Sequence, residues 1–439
     1  MPLQLIKNIR CLVNTVSTPV ALRGSTLAHL PLICNAYLFA RDGLIAAYGS
    51  MDKLAASALL PELLERLPSV SVDAFYDQRF EITGETMVID ASGRFVLPCW
   101  CDSHTHLVFA ASREEEYVDK LKGLSYAEIA ARGGGILNSA RKLNEADEQA
   151  LYDLAYSRLV ELMRSGTGAI EIKSGYGLSI DGEIKMLRVI KELKRNAPVP
   201  VKATFLGAHA FPEVFKNDRE GYIRLIIDQM LPKIAGEGLA DYIDVFCEEG
   251  FFSPAETIRI CSAGIDYGLR PRLHVNQLNS IGGIEAGIAL NAVSLDHLET
   301  LTPNEIDLLS KWSGVCTLLP SAAFFLRMPY QPARSLVEAG CAVALASDYN
   351  PGSSPSGNMN FIHALSCIQM KMLPEEAINA ATINGACAME LQEEVGSIAV
   401  GKKANLIFTK PIDSVAYLSY AFGTNLIHRV MINGAFIQV

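Results

Sequence analysis

Short apolar runs separated by helix-like stretches dominate the middle of the 439-residue chain. The runs fall at 96–109, 168–173, 201–207, 242–246, 272–274, 292–295, 315–318 and 343–346. A helix-like stretch follows each of them, as at about 182–196 after the second. Eight such units predict an α/β fold centred on a distorted, closed parallel (β/α)8 barrel. The first 95 residues lack long helical periodicity apart from about 52–67. Within them 44–49 and 87–90 read as short strands, with Asp42-Gly43 and Ser92-Gly93 at turn positions. From about Val395 this texture returns, with strands at 396–398 and 404–408 and a hairpin at 430–434. The two β-rich ends are expected to pair into one small composite β-sandwich. The expected division is therefore 1–95, 96–390 and 391–439.

A barrel of this kind carries its chemistry at the C-terminal ends of its strands, so the polar residues found there are the first to test. The first run ends in His104-Thr105-His106. Strand side chains alternate faces, so the two imidazoles can address one point, roughly 2.1 Å from a shared metal. Two histidines bonded to backbone or water are the competing reading of this pair alone. Lys173 and Tyr176 follow the second strand, His209 the third, Glu248 and Glu249 the fourth, His274 the fifth, His297 the sixth and Asp348 the last. Of eight histidines in the chain, five stand at such ends, which favours a metal. His104, His106, His274 and Asp348 supply imidazole nitrogens and one carboxylate. That set suits one divalent or trivalent transition metal, zinc or iron, with a place left for water. Such a metal lowers the pKa of its water toward ~7, and Asp348 is placed to accept the proton.

Composition narrows the partners. Half the residues are hydrophobic and 20% are charged, which suits a large core, and the formal charge is −10. No dense basic run is present, so nucleic-acid binding is not expected. No apolar run reaches the ~20 residues of a membrane helix, and no signal peptide is visible. The ten cysteines are scattered in apolar runs and read as buried reduced thiols of a cytoplasmic protein. Core packing is the expected role of Cys99 and Cys101 beside the histidines.

The chain resembles the amidohydrolase superfamily, and within it the branch that opens the imidazolone ring in histidine degradation. The resemblance rests on His104-Thr105-His106-Leu107-Val108-Phe109 with Arg113, on Gly133-Gly134-Gly135-Ile136, on Lys173-Ser174-Gly175-Tyr176-Gly177-Leu178 and on Gly207-Ala208-His209-Ala210. It continues in Leu273-His274-Val275-Asn276-Gln277, Asp296-His297-Leu298-Glu299 and Ser347-Asp348-Tyr349-Asn350-Pro351-Gly352-Ser353. The His-x-His pair marks only the superfamily, whereas the Lys173 and Asp348 blocks are much more specific. Hydrolysis of a ring C–N bond of 4-imidazolone-5-propanoate to N-formimino-L-glutamate is the activity this implies, by a metal-bound water with Asp348 as base.

For such a substrate the resemblance implies that Arg113 takes the propionate with its planar fork, aided by Tyr126 and Tyr176. Asn350, Gly352 and Ser353 form a turn that approaches the ligand. His209 and His297 could both hydrogen-bond the substrate carbonyl and stabilise developing negative charge; by the resemblance His209 contacts substrate, and His297 lies by the metal-bound water or carbonyl as a second proton-transfer candidate. Gln277 stands where related enzymes often carry a glutamate. It can orient a ring N–H but cannot shuttle a proton. Lys173 is expected to be uncarbamylated and structural, leaving one metal. A small-molecule substrate is the expected partner, and a homodimer is left open. Rival expectations are another cyclic amide hydrolase or aminohydrolase on the same barrel, and an inactive assembly homologue.

Overall fold

Two sheets organise the chain, one built from its ends and one from its middle. A computed structural model describes residues 3–55, 69–71, 87–124, 128, 132 and 134–437. The N-terminal strands are β1 (Leu3–Val13), β2 (Leu32–Arg41), β3 (Leu44–Ser50), β4 (Ser69–Ser71), β5 (Met87–Asp90) and β6 (Phe95–Pro98). The middle of the chain supplies β7 (Trp100–Thr105), β8 (Thr167–Lys173), β9 (Val201–Ala208), β10 (Tyr242–Cys247), β11 (Arg270–Val275), β12 (Ser294–His297), β13 (Val315–Leu318) and β14 (Val343–Leu345). The C-terminal strands are β15 (Leu406–Thr409), β16 (Ile427–Ile432) and β17 (Ala435–Phe436).

β7 to β14 follow one another in chain order as an eight-stranded parallel sheet. Helices between them begin with local signals that the sequence carries. Ser253 and Glu256 form a reciprocal cap on helix Pro254–Asp266, as Thr302 and Glu305 do on Pro303–Lys311. Ser179 caps helix Ile180–Asn196 by accepting from the Gly182 N–H. Strand residues Ile170, Ile172, Val245, Leu273 and Leu295 share one continuous core with helix residues such as Leu187 and Ile260. Burial on both faces explains why these strands read as uninterrupted apolar runs.

The end-built sheet is mixed, in the order β17-β16-β15-β6-β1-β2-β3, with β5 against β1 and β4 against β5. Its core contains Ile6, Leu12, Leu38, Ile45, Val96, Leu406, Phe408 and Met431 from both ends of the chain. The Asn433-Gly434 turn joins β16 to β17 with φ of 48° and 75°, the left-handed conformation that short hairpins require. Among the described residues, no helix is long and apolar enough to cross a membrane.

Four expectations change. The run 96–109 is two strands in two sheets, because Phe95–Pro98 pairs with β1 and β15 while Trp100–Thr105 pairs with β8. Around this switch the Cys99 N–H donates to Asn405 O (3.0 Å) and the Trp100 N–H to Gly166 O (2.9 Å). Residues 396–398 form no strand: Ile398 N–H bonds to Asn14 O and Ser397 Oγ to Val16 O, so the segment is tied into turns. The helix expected at 52–67 is seen as Met51–Ala55, and 56–67 lie outside the described residues. Finally, Cys11 and Cys34 face each other across β1 and β2 and form a disulfide, so the expectation of reduced thiols fails for this pair. Cys99, Cys101 and six other cysteines are free thiols.

Candidate active site

The barrel closes between its first and last strands, and this seam assembles the start of the site. Thr105 bridges Tyr349, the Asp348 N–H donates to His104 O at 3.0 Å, and the His106 N–H donates to Tyr349 O at 2.9 Å. The same ladder carries Asp348 Oδ1 to 3.6 Å from both His104 Nε2 and His106 Nε2. Asp102, two residues before His104, accepts from the Ser347 N–H (3.0 Å) and Ser347 Oγ (2.5 Å), which fixes the approach to Asp348. Burial pushes the Asp102 carboxyl up to about 7, against these hydrogen bonds.

His274 completes a compact imidazole group, its ring 4.5 Å from that of His104 and 5.5 Å from that of His106. Its Nδ1 lies 2.9 Å from Asp244 Oδ2, and His104 Nδ1 lies 2.6 Å from Asp296 Oδ2. A carboxylate accepts, so each Nδ1 carries the proton and each Nε2 keeps its lone pair. Both Nε2 atoms are buried without a hydrogen-bond partner, a costly arrangement for polar atoms unless a cation takes them. Burial, followed by the Lys173 charge, holds the His104 and His274 pKa values well below the usual range, so both are neutral ligand-ready imidazoles. Among the described residues, two triplets could hold a metal ion, His104/His106/Asp348 and His104/His274/His297, the donor atoms of each within 4.8 Å of one another. The donor chemistry and the orphaned nitrogens both fit a transition metal.

Around this cluster the structure places the remaining expected residues. Ser353 Oγ donates to Asp348 Oδ2 at 3.2 Å, which leaves Oδ1 toward the histidines. Asn350 ties the turn internally, from Nδ2 to Asp348 O and Ser353 Oγ and from Oδ1 to the Gly352 and Ser353 N–H groups. Burial pushes the Asp348 carboxyl up to about 6, with the His297 charge opposing. Arg113 Nε donates to Ser139 Oγ at 2.8 Å, and its guanidinium stands 5.9 Å from the centre of the Tyr176 ring. A Cβ on Gly352 would lie 2.5 Å from Arg113 Nη1, so the glycine permits this approach of arginine to the Asp348 turn. Tyr126 and Gly133 lie outside the described residues.

His209 stacks on His106 with ring centres 5.3 Å apart and tilts against Tyr176 at 5.5 Å. Its Nδ1 lies 3.0 Å from Gly175 O, and burial lowers its pKa to about 4 despite that bond. Beside it opens a cavity of about 530 Å³ lined by Gly135, Ile136, Ala210, Phe211 and Phe251 among others. Gln277 sits in the loop after β11, where Glu248 accepts from the Leu278 and Asn279 N–H groups. His297 is 5.2 Å from His274, ring to ring, and its backbone has φ of 87° with Leu298 at 64°. Its Nδ1 is 3.3 Å from Glu299 Oε1. Burial opposes charge on His297, but Glu299, Asp348 and Asp296 outweigh it and raise its pKa.

The sequence pointed to a structural Lys173 but not to the buried charges around it. Lys173 Nζ lies 2.9 Å from Glu171 Oε1, 2.9 Å from Asp244 Oδ2 and 3.7 Å from Asp296 Oδ2. Arg272 lies 3.3 Å from the same Asp296 oxygen. Surrounded by carboxylates, Lys173 is an ammonium whose pKa is raised by Asp244 and Glu171 against the cost of burial. A carbamate there would add a fourth anion to the group. The signal available in the sequence was charge inside apolar strands, which is rare without a partner.

This barrel with imidazoles and a carboxylate at its closing seam defines a hydrolase of the amidohydrolase class, and residues 95–437 match the Amidohydrolase family. The chain is 55% identical over 434 residues to an imidazolonepropionase of Flavobacterium johnsoniae, covering 99% of each. To an imidazolonepropionase of a Geobacillus species it is 38% identical over 430 residues, covering 96% of each. Among solved structures, guanine deaminase of E. coli superposes with a TM-score of 0.71 at 14% identity, over 100% of this chain and 99% of that one, which speaks for the fold. The chain belongs to the amidohydrolase family and, within it, to the imidazolonepropionases.

Proposed function

We propose that the protein hydrolyses a ring C–N bond of 4-imidazolone-5-propanoate to N-formimino-L-glutamate in L-histidine degradation, in the cytoplasm. The observation that carries the reading is the pair of orphaned Nε2 atoms on His104 and His274, the first of them 3.6 Å from Asp348 Oδ1. Nearly full-length identity to named imidazolonepropionases supports the substrate. On this reading 96–390 is the hydrolase barrel, apart from residues 96–98, which pair into the composite β-rich companion formed by 1–95 with 391–439.

His104, His106, His274 and Asp348 would hold one zinc or iron ion. Bound there, it supplies Lewis acidity and lowers the pKa of a water. Arg113 takes the propionate carboxylate as a charge-assisted pair, and the Tyr176 ring stands 5.9 Å from its guanidinium. His209, neutral because it is buried, offers a hydrogen bond to the ring. In the reaction the oxygen of water joins the ring carbonyl carbon and the carbon–nitrogen bond breaks. Asp348 accepts the proton from the attacking water, since its second oxygen is fixed by Ser353. His297, whose pKa Glu299 raises, is the group suited to protonate the departing nitrogen. Gln277 orients without exchanging a proton.

The test is turnover of freshly prepared imidazolone propionate with formiminoglutamate as the detected product, beside a purine control. Product from the first and no ammonia from the second support the reading. Ammonia from the purine alone would replace it with an aminohydrolase.

A further inference from the structure

Two histidines of the candidate metal site are oriented from behind by carboxylates, and one buried side chain holds both carboxylates. Asp244 on β10 grips His274 twice, accepting from its backbone N–H at 3.1 Å through Oδ1 and meeting its ring Nδ1 at 2.9 Å through Oδ2. Asp296 on β12 meets His104 Nδ1 across the barrel interior with its own Oδ2 at 2.6 Å. Lys173 Nζ on β8 reaches these same two oxygens, at 2.9 Å and 3.7 Å. Three non-adjacent strands are thus joined through one ammonium, and all the side chains involved are buried. Arg272 closes the arrangement by donating to Ser103 O at 2.6 Å, directly before His104, and to Asp296 Oδ2 at 3.3 Å.

We propose that Lys173 is a positioning residue which, through Asp244 and Asp296, aims the Nε2 atoms of His274 and His104 at a common point. The proposal rests on the reading of these histidines as metal ligands. An imidazole pinned only by packing can rotate about its last torsion, which is broad. A carboxylate on Nδ1 fixes both the ring plane and the tautomer. That carboxylate is itself mobile unless a further group holds it, and Lys173 supplies that hold for two carboxylates at once. Lys173 therefore couples two ligands that come from opposite sides of the barrel. This role differs from ligation by a modified lysine, because the Nζ faces the carboxylates that support the site.

Zinc affinity of the full-length protein, measured by competition with a chromophoric chelator, reads this without turnover. In Lys173→Met the affinity is expected to fall about 10–100-fold, the usual loss when a supporting partner of a ligand is removed. Asp244→Asn and Asp296→Asn are each expected to weaken zinc as well. In a double-mutant cycle, Lys173→Met combined with Asp244→Asn should cost less than the sum of the two. The visible spectrum of the cobalt(II)-loaded protein should change in Lys173→Met, which a purely structural role at a distance would not cause. Unchanged zinc affinity in a folded Lys173→Met overturns the proposal. Should that variant show no cooperative thermal transition, wild-type zinc affinity in both aspartate variants overturns it. If the unaltered protein binds neither zinc nor iron, the metal reading falls first and takes this proposal with it.

Discussion

His104 and Asp348 are joined through the backbone, where the Asp348 N–H donates to His104 O at 3.0 Å, and this brings Oδ1 to 3.6 Å from Nε2. The hydrogen bond that closes the barrel is therefore also the one that sets the distance between two residues of the site. Fold and chemistry share a seam here, and that gives the predictions their direction.

Asp348→Asn keeps the shape of the side chain and removes both its negative charge toward the metal and its capacity to accept a proton. Turnover should fall by about 10²–10⁴-fold, the usual contribution of a positioned acid or base. Binding of a non-reacting substrate analogue should change little. Calorimetry beside steady-state kinetics separates the two, and full turnover would remove Asp348 from the mechanism.

Arg113→Ala should raise KM with a smaller effect on kcat. A charge-assisted hydrogen bond contributes about 1.5–3 kcal/mol, or roughly 10–100-fold in KM. Gly352→Ala should act in the same direction, because its Cβ would displace Arg113 Nη1. If KM stays constant in both variants, the carboxylate anchor lies elsewhere.

The gain in Tm on adding zinc should be large at pH 8 and should shrink as pH falls through about 6, where the buried Asp348 carboxyl titrates. The sign follows from the raised value. In the metal-free fold Asp348 keeps its proton to a higher pH than in the unfolded chain, so metal-free stability declines as pH rises through about 6. Metal binding needs the carboxylate, so protons compete with it below that pH. Scanning calorimetry across the pH range, with and without zinc, checks this, and a gain that grows toward acid would contradict it.

Gly385, on helix Ile383–Ala388, packs against the backbone carbonyl of Cys101 in β7, so closely that an added Cβ would overlap it. Gly385→Ala should destabilise the protein by about 1–3 kcal/mol, as overpacking does in a dense core. Because β7 carries His104, zinc affinity should fall in the same variant. Denaturant unfolding and chelator competition measure the two effects, and wild-type values in both would show that the strand accommodates the methyl group.

Much of this fold was legible because parallel barrel strands are buried on both faces and their sequences announce it in unbroken apolar runs. The same property hid the switch at Cys99: nothing polar separates Phe95–Pro98 from Trp100–Thr105, so two strands of two sheets read as one. Individual site residues were legible where a strand-end polar side chain stood against an apolar background, as His104, His274 and Asp348 do. Their partners were not, since Asp244 meets His274 and Asp296 meets His104 only through tertiary register. The internal ties of Asn350 and the approach of Arg113 to Gly352 are likewise loop geometry that spacing does not encode. The Cys11–Cys34 pair depends on strand register between β1 and β2, which scattered cysteines do not reveal.

On the proposed function, one transition metal held at the His104–Asp348 seam is required for opening the imidazolone ring. Metal-depleted protein titrated with zinc or iron(II), with turnover of imidazolone propionate and bound metal measured in the same samples, tests it most directly. Negligible turnover without metal and a linear rise that breaks at one equivalent per chain are expected. Undiminished turnover in the metal-free protein, or a break at two equivalents, would contradict it.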